Sequence, residues 1–406
     1  MLRPHRSLAL FALFCAAALP SAAPARTLRV PDAFTPVLVD FVGDRTEPVL
    51  GSDGRWHVVY ELWLTNARPV PATIERIEVL DYDHQDRVLA ALDGAALQAA
   101  MRDLASRPVD DATLAPDASK LILVELAFDR RADTPDAIVH RLTGRGGINP
   151  AAREPAAMRY LAAPWDLSEG TPPAIGAPLF GDGWVAINGC CSARGAHRAA
   201  IMPISGRLRD AQRFAIDWMR VDKQGRLVTG DPARVESYLS YDQPVIAVAD
   251  ATVVEVEDGL DDQAPGTLPD PATITIANVD GNHVILDLGN GFYVFYAHLK
   301  KGSLRVAKGD RVRRGQELGR LGNTGNTSAP HLHLHVMNAP SAIGADGVPY
   351  VFDRFTLVGQ LDAEQWYAAD SGFGDTYRIL PGDGVGPRQH ELPLDLRIVN
   401  FPPAAP

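Results

Sequence analysis

The chain has 406 residues, 46% hydrophobic and 22% charged, as in an ordinary folded protein with room for two or three domains, each with its own core. Acidic residues outnumber basic ones, 50 to 39, and the formal charge of −11 sets up a field that repels nucleic acid. Three cysteines exclude a disulfide scaffold, while 35 glycines and 32 prolines without a G-x-y period exclude collagen and point to many turns between short strands.

The chain opens on a basic MLRPHR, then SLALFALFCAAALP, an apolar run too short for a comfortable membrane span. SAAPA follows, with small residues at Ala23 and Ala25 in the pattern of a signal-peptidase site. Residues 1–25 are therefore expected to be a cleaved secretory signal. Cys15 lies within the apolar run and lacks the small neighbours of a lipoprotein site. No later stretch holds 18 consecutive apolar residues, so the expectation is a secreted or periplasmic protein without a membrane span after cleavage.

Residues 27–145 contain FTPVLVDFV, RWHVVYELWLTN, ATIERIEVLDY and SKLILVELAFD, separated by Gly, Asp and Pro turns. Tyr60, Leu62 and Leu64 alternate with Glu61, Trp63 and Thr65, the pattern of a strand with one buried face. An immunoglobulin-like β-sandwich is expected here, as an accessory domain, with one amphipathic helix near residues 95–105. DYDHQD lacks calcium-ligand spacing and reads as a solvated loop. Residues 146–185, rich in Pro, Gly and Ala, read as a linker.

From residue 186 to 340 strands and tight turns return. The adjacent Cys190 and Cys191 allow either a vicinal disulfide or two thiols packed in a turn. In QRFAIDW, Asp217 follows an apolar pair and precedes Trp218; a buried carboxylate there needs a partner, either a metal or an arginine. Asp280-Gly281, Gly289-Asn290-Gly291 and Gly309-Asp310 suit hairpin turns. In FYVFYAHL, Tyr296 and His298 are expected on one strand face. GNTGN has no Lys-Ser/Thr after it and is no phosphate loop. PHLHLHV carries the strongest chemical signal: on a strand, His331, His333 and His335 point one way while Leu332 and Leu334 point the other. Three imidazoles on one face suit a metal or catalysis better than a surface. Residues 341–406, with many prolines, read as a tail laid over the body.

At these residues the chain resembles the lysostaphin/LytM-type zinc peptidases, which cut peptide bonds in bacterial peptidoglycan. The resemblance runs from about residue 186 to 340, through PVIAVADATVVEV, YAHL and VAKGDRVRRGQELGRLGNTGNTSAPHLH. It implies an antiparallel β-sheet peptidase domain, so the chain as a whole should be mainly β. It also implies a zinc ion held by a His, an Asp four residues later and the second His of H-x-H. Carried over, Asp217 and His333 are ligands, and His298 and His331 are the non-ligand histidines that handle protons and the developing oxyanion. Tyr296 could orient one of them, and His335 would be a further contact or an outer-shell group.

Where the family has its first His, this chain has Arg213, which cannot ligate zinc because its guanidinium stays protonated. AHRAAIMPI and DAQRFAIDW flank ISGRLRD like the arms of a hairpin. A turn centred near residue 207 would set His197 opposite Asp217, on the same face, as the replacement ligand. The functional expectation is an exported zinc endopeptidase acting on peptidoglycan peptide. The alternative is a catalytically degenerate module that binds the wall or activates other wall hydrolases.

Overall fold

Apolar and β-branched runs in the first third of the chain form strands with alternate residues buried, and these assemble into two facing sheets. The computed structural model describes residues 26–167, 170–193, 195–368 and 372–403; the expected signal segment lies outside them. The strands are β1 (Val37–Val42), β2 (Trp56–Asn66), β3 (Ala72–Asp81), β4 (Val88–Asp93), β5 (Met101–Arg102), β6 (Ser119–Phe128), β7 (Ala137–Gly146) and β8 (Ala156–Asp166). One antiparallel sheet runs β1-β2-β6-β5 and the other β8-β7-β3-β4, each with a short strand off this path. Lettered in chain order A, B, C, C′, D, E, F, G, these are the orders A-B-E-D and G-F-C-C′ of immunoglobulin-type sandwiches. Tyr60, Leu62 and Leu64 of β2 lie in one buried cluster with Ile77, Val79 and Leu142 of the opposing sheet. The helix expected near 95–105 is shorter, Gly94–Ala100, because Met101 and Arg102 join the first sheet.

Two expectations are corrected. The supposed linker contains β8, paired with β7 from Ala156 opposite Gly146 to Asp166 opposite Ala137. Gly147, Pro150 and Pro155 sit in the turn before it, while Met158 and Tyr160 enter the core. Glu61, on what should be the solvent face of β2, is fully buried, because the rest of the chain packs on that face.

The second part of the chain is built on one large antiparallel sheet. Its strands are β9 (Gly181–Ile187), β10 (Ile216–Arg220), β11 (Ala251–Glu257), β12 (Asn282–Gly289), β13 (Phe292–Leu299), β14 (Leu332–Met337), β15 (Phe355–Leu361) and β16 (Arg397–Phe401), in the order β11-β12-β13-β14-β10-β9-β16-β15 with short strands at the margins. Trp184, Ile216, Trp218, Tyr296, Leu334 and Val399 share the main core on one face. The region read as a tail therefore supplies interior strands: β16 pairs with β9 and β15 with β16. Pro381, Pro393 and Pro402 fall outside these strands, whose short apolar alternation they mask in the sequence. Cys190 and Cys191 are joined and buried. Among the described residues no helix is long and apolar enough to cross a membrane.

Candidate metal centre and active site

Strand alternation places the histidines. Leu332, Leu334 and Val336 enter the core, so His331, His333 and His335 line the opposite face. Asp217 pairs directly with His333 across β10 and β14, which sets carboxylate and imidazole on one face. His298 reaches that face only through an irregularity. The β12–β13 register slips between the pairs Val284–Tyr296 and Asn282–Leu299, and His298 has φ +62°. The bulge turns its ring toward His331 and His333, with centroids 4.7 and 5.9 Å away.

Tyr296 does not follow. It points to the core side, where its hydroxyl accepts the Val248 N–H at 2.9 Å. The expectation that it shares a face with His298 and orients a site histidine is thus corrected; strict alternation fails at the bulge. Close backbone packing supports His298 instead. A Cβ on Gly281 (φ +67°) would lie 2.2 Å from the Thr324 carbonyl oxygen, so only glycine lets that carbonyl approach. The same carbonyl takes the His298 Nδ1–H at 2.7 Å.

His197 arrives by another route than the expected hairpin. The hairpin exists, but as Met202–Ile204 against Arg207–Arg209, and position 217 pairs with 187 and 333. His197 lies in a single 3-10 turn, His197–Ala199. Its Nε2 nevertheless comes within 3.3 Å of Asp217 Oδ2. Arg213 turns away and pairs with Glu61. His197, Asp217 and His333 offer three ligand atoms within 4.8 Å of one another; His298, His331 and His333 form a second, overlapping group without a carboxylate.

Backbone hydrogen bonds fix which ring nitrogens face Asp217. His197 Nδ1 lies 2.9 Å from the Asn188 carbonyl and 3.0 Å from that of Ala215, so Nδ1 bears a proton and Nε2 is the nitrogen turned to the carboxylate. His331 Nδ1 donates to the Ala329 carbonyl at 2.8 Å, leaving Nε2 facing Asp217 Oδ1 at 3.2 Å. His333 Nδ1 lies 2.9 Å from Asp217 Oδ1, and its Nε2 lies 2.9 Å from His335 Nδ1. Two imidazole nitrogens and a carboxylate oxygen within 4.8 Å of one another are the nitrogen and oxygen donor set that zinc takes. His197, Asp217 and His333 therefore fit a zinc ion, with backbone carbonyls and His335 orienting the rings as outer partners do.

Asn188 completes the arrangement, and no sequence pattern marks it. Its side-chain amide donates to Asp217 Oδ2 at 2.8 Å while its carbonyl holds His197. Burial disfavours the Asp217 charge, but His197 and His331 hold it well below the usual carboxylate range. Burial also opposes protonation of those two imidazoles, and Asp217 outweighs it, raising both. His333 is lowered by burial to about 4 despite its contact with Asp217. Burial and neighbouring imidazoles push His298 and His335 well down, which keeps both neutral. A cavity of about 790 Å³ opens at the Arg220 end of β10 and includes none of these histidines.

Residues 235–345 match Peptidase family M23, a span that contains His298, His331, His333 and His335 and begins after Asp217. The chain is 44% identical over 57 residues to the peptidoglycan DD-endopeptidase ShyA of Vibrio cholerae, covering 14% of this chain and 13% of that protein. It is 32% identical over 108 residues to the glycyl-glycine endopeptidase ALE-1 of Staphylococcus capitis, covering 27% and 25%. The chain thus spans a quarter or less of the length of these curated relatives. Among solved structures, the lysostaphin catalytic domain of Staphylococcus simulans aligns at 22% identity and a TM-score of 0.22, covering 36% of this chain and 80% of that one.

Proposed function

We propose that this protein is an exported zinc endopeptidase that hydrolyses peptide bonds in bacterial peptidoglycan. The observation that carries the reading is the convergence of His197, Asp217 and His333, with two imidazoles set against one buried carboxylate. The M23 match and the peptidoglycan endopeptidases among the relatives support the substrate class. The signal-like residues 1–25 support secretion or a periplasmic location.

His197, Asp217 and His333 would hold a zinc ion, which would supply Lewis acidity to a scissile carbonyl and to water. The remaining chemistry falls to His298 and His331. Both have Nδ1–H fixed on a backbone carbonyl, so each presents Nε2 to the reacting groups. Neutral His298 is suited to accept a proton from the attacking water. His331, whose Nε2 lies 3.2 Å from Asp217 Oδ1, is placed to donate to the oxyanion or the leaving amine. Asn188 holds the carboxylate, and His335 steadies the far nitrogen of His333.

The test is elemental analysis together with turnover on purified peptidoglycan. One zinc per chain is expected, lost in Asp217→Ala and His333→Ala, with activity abolished but zinc retained in His331→Ala. A protein that stays zinc-free after loading overturns the reading. The alternative of a non-catalytic wall-binding or activating module rests on Arg213, whose guanidinium is committed to Glu61. Wall binding without zinc or turnover would favour it. Amino-terminal sequencing of exported protein beginning at Arg26 tests the signal.

A further inference from the structure

We propose that the sandwich is a working part of this metal centre, and that Glu61, acting through Arg198, is the positioning residue that holds His197 on Asp217. This rests on the zinc reading above. Asp217 and His333 sit on adjacent strands of one sheet, whose ladder fixes them. His197 has no such support, since it lies in a one-turn 3-10 segment off the sheet. Something else must fix it.

The next residue does so. Arg198 is 1% exposed, and its guanidinium crosses into the sandwich. Nη1 binds Glu61 Oε1, Nη2 donates to the Val124 carbonyl at 3.2 Å and to that of Tyr60 at 3.4 Å, and Nε donates to the Cys191 carbonyl at 3.2 Å. The other Glu61 oxygen accepts from Arg213 Nε at 2.8 Å and Nη2 at 2.5 Å. Arg213 lies two residues before Ala215, whose carbonyl receives the His197 ring proton, and four before Asp217. One buried carboxylate of the sandwich thus ties together the two segments that deliver His197 and Asp217. Asp210 lies 3.8 Å from each guanidinium and completes the cluster.

Further anchors bracket the same segment. Arg102 donates to the Ala193 carbonyl at 3.0 Å, and Ser106 Oγ to that of Ile201 at 3.1 Å. Ile201 is buried with Val42, Leu121 and Leu123 of the sandwich. Arg213, standing where a ligand is expected, is one arm of the device that brings in the substitute.

The experiment measures zinc affinity by chelator competition, and the visible spectrum of the cobalt(II) form, on the full chain. Arg198→Met removes the strut and leaves Glu61 paired with Arg213. It is expected to weaken zinc about 10–100-fold, the usual effect of losing an outer partner of a ligand, and to change the cobalt spectrum as an imidazole leaves. Glu61→Gln should do the same, and Glu61→Asp should recover part of the affinity. Should Glu61→Gln fail to fold, Arg198→Met decides alone. Tyr60→Phe is the control: it removes the hydroxyl bonded to His140 inside the sandwich, lowering the melting temperature without moving affinity or spectrum. Wild-type affinity and spectrum in Arg198→Met overturn the proposal, as does an equal loss in Tyr60→Phe. If the parent protein itself takes up no zinc, the zinc reading fails and this falls with it; if only the variants are unaffected, the zinc reading stands.

Discussion

Asp217 sits among partners of very different visibility. His333 and His331 are legible in PHLHLHV because a strand's period of two obliges alternate residues to share a face. Asn188 is not legible, since its role comes from a contact 29 residues along the chain and from a left-handed φ of +56° that aims both its amide and its carbonyl. Asn188→Ala is expected to weaken zinc about tenfold and to cost roughly 1 kcal/mol or more, from the lost bond to a charged group and the poor fit of alanine to that backbone. Metal titration and thermal unfolding check it. Arg213 gives a sharper case. Restoring the family's residue by Arg213→His should add no ligand, because side chain 213 is directed at Glu61, Val42 and Gly347. Breaking a buried pair costs about 3–5 kcal/mol, so a large drop in melting temperature is expected, with no gain in zinc affinity.

Single elements decide where His298 and the C-terminal residues lie. Strands are readable from apolar alternation in residues 27–145 and 186–340 but not in the supposed linker and tail, and the bulge that separates Tyr296 from His298 is not readable either, because an extra residue in one strand leaves no mark in composition. The Gly281–Thr324 approach that backs His298 predicts a sensitive site. Gly281→Ala should lose at least about 1–2 kcal/mol from its left-handed backbone and also displace the Thr324 carbonyl. Reduced turnover with zinc still bound is the expected signature, by kinetics and metal content together. The strand Arg397–Phe401 makes a second prediction. It is hydrogen-bonded on both sides, with Val399 fully buried, so truncation after residue 390 should abolish soluble folded protein. A true tail would tolerate the cut, as expression and circular dichroism would reveal.

Across the whole molecule, two histidines of the sandwich answer to pH in opposite ways, apart from the metal centre. His140 is buried in the sandwich, its Nε2 accepting the Tyr60 hydroxyl at 2.8 Å, and burial lowers it to about 4. Unfolded chains bind the proton below about 6.5, so its contribution to stability is lost as pH falls through 6.5 toward 4. His57 is the reverse case. Burial opposes its charge, but Asp53 and Glu125 outweigh that and raise it to about 9. Its contribution is full below about 6.5 and is lost as pH rises from there through 9. Each amounts to about 3 kcal/mol at most. A melting-temperature maximum near pH 6–7 is expected, with the alkaline limb flattened in His57→Gln.

The sequence by itself determined the mainly β character, the face shared by His331, His333 and His335, the carboxylate at 217 and the resemblance to LytM-type peptidases. These follow from local rules: alternation, turn residues and a short dense motif. Only the tertiary structure decided that His197 meets Asp217 from a 3-10 turn rather than a hairpin, that Tyr296 belongs to the core, and that the last strands lie inside the sheet. It alone shows Glu61, 137 residues before Arg198 and 152 before Arg213, bonded to both. No local period encodes such a contact, because it exists only where the sandwich closes over the sheet and a buried charge must find its partners.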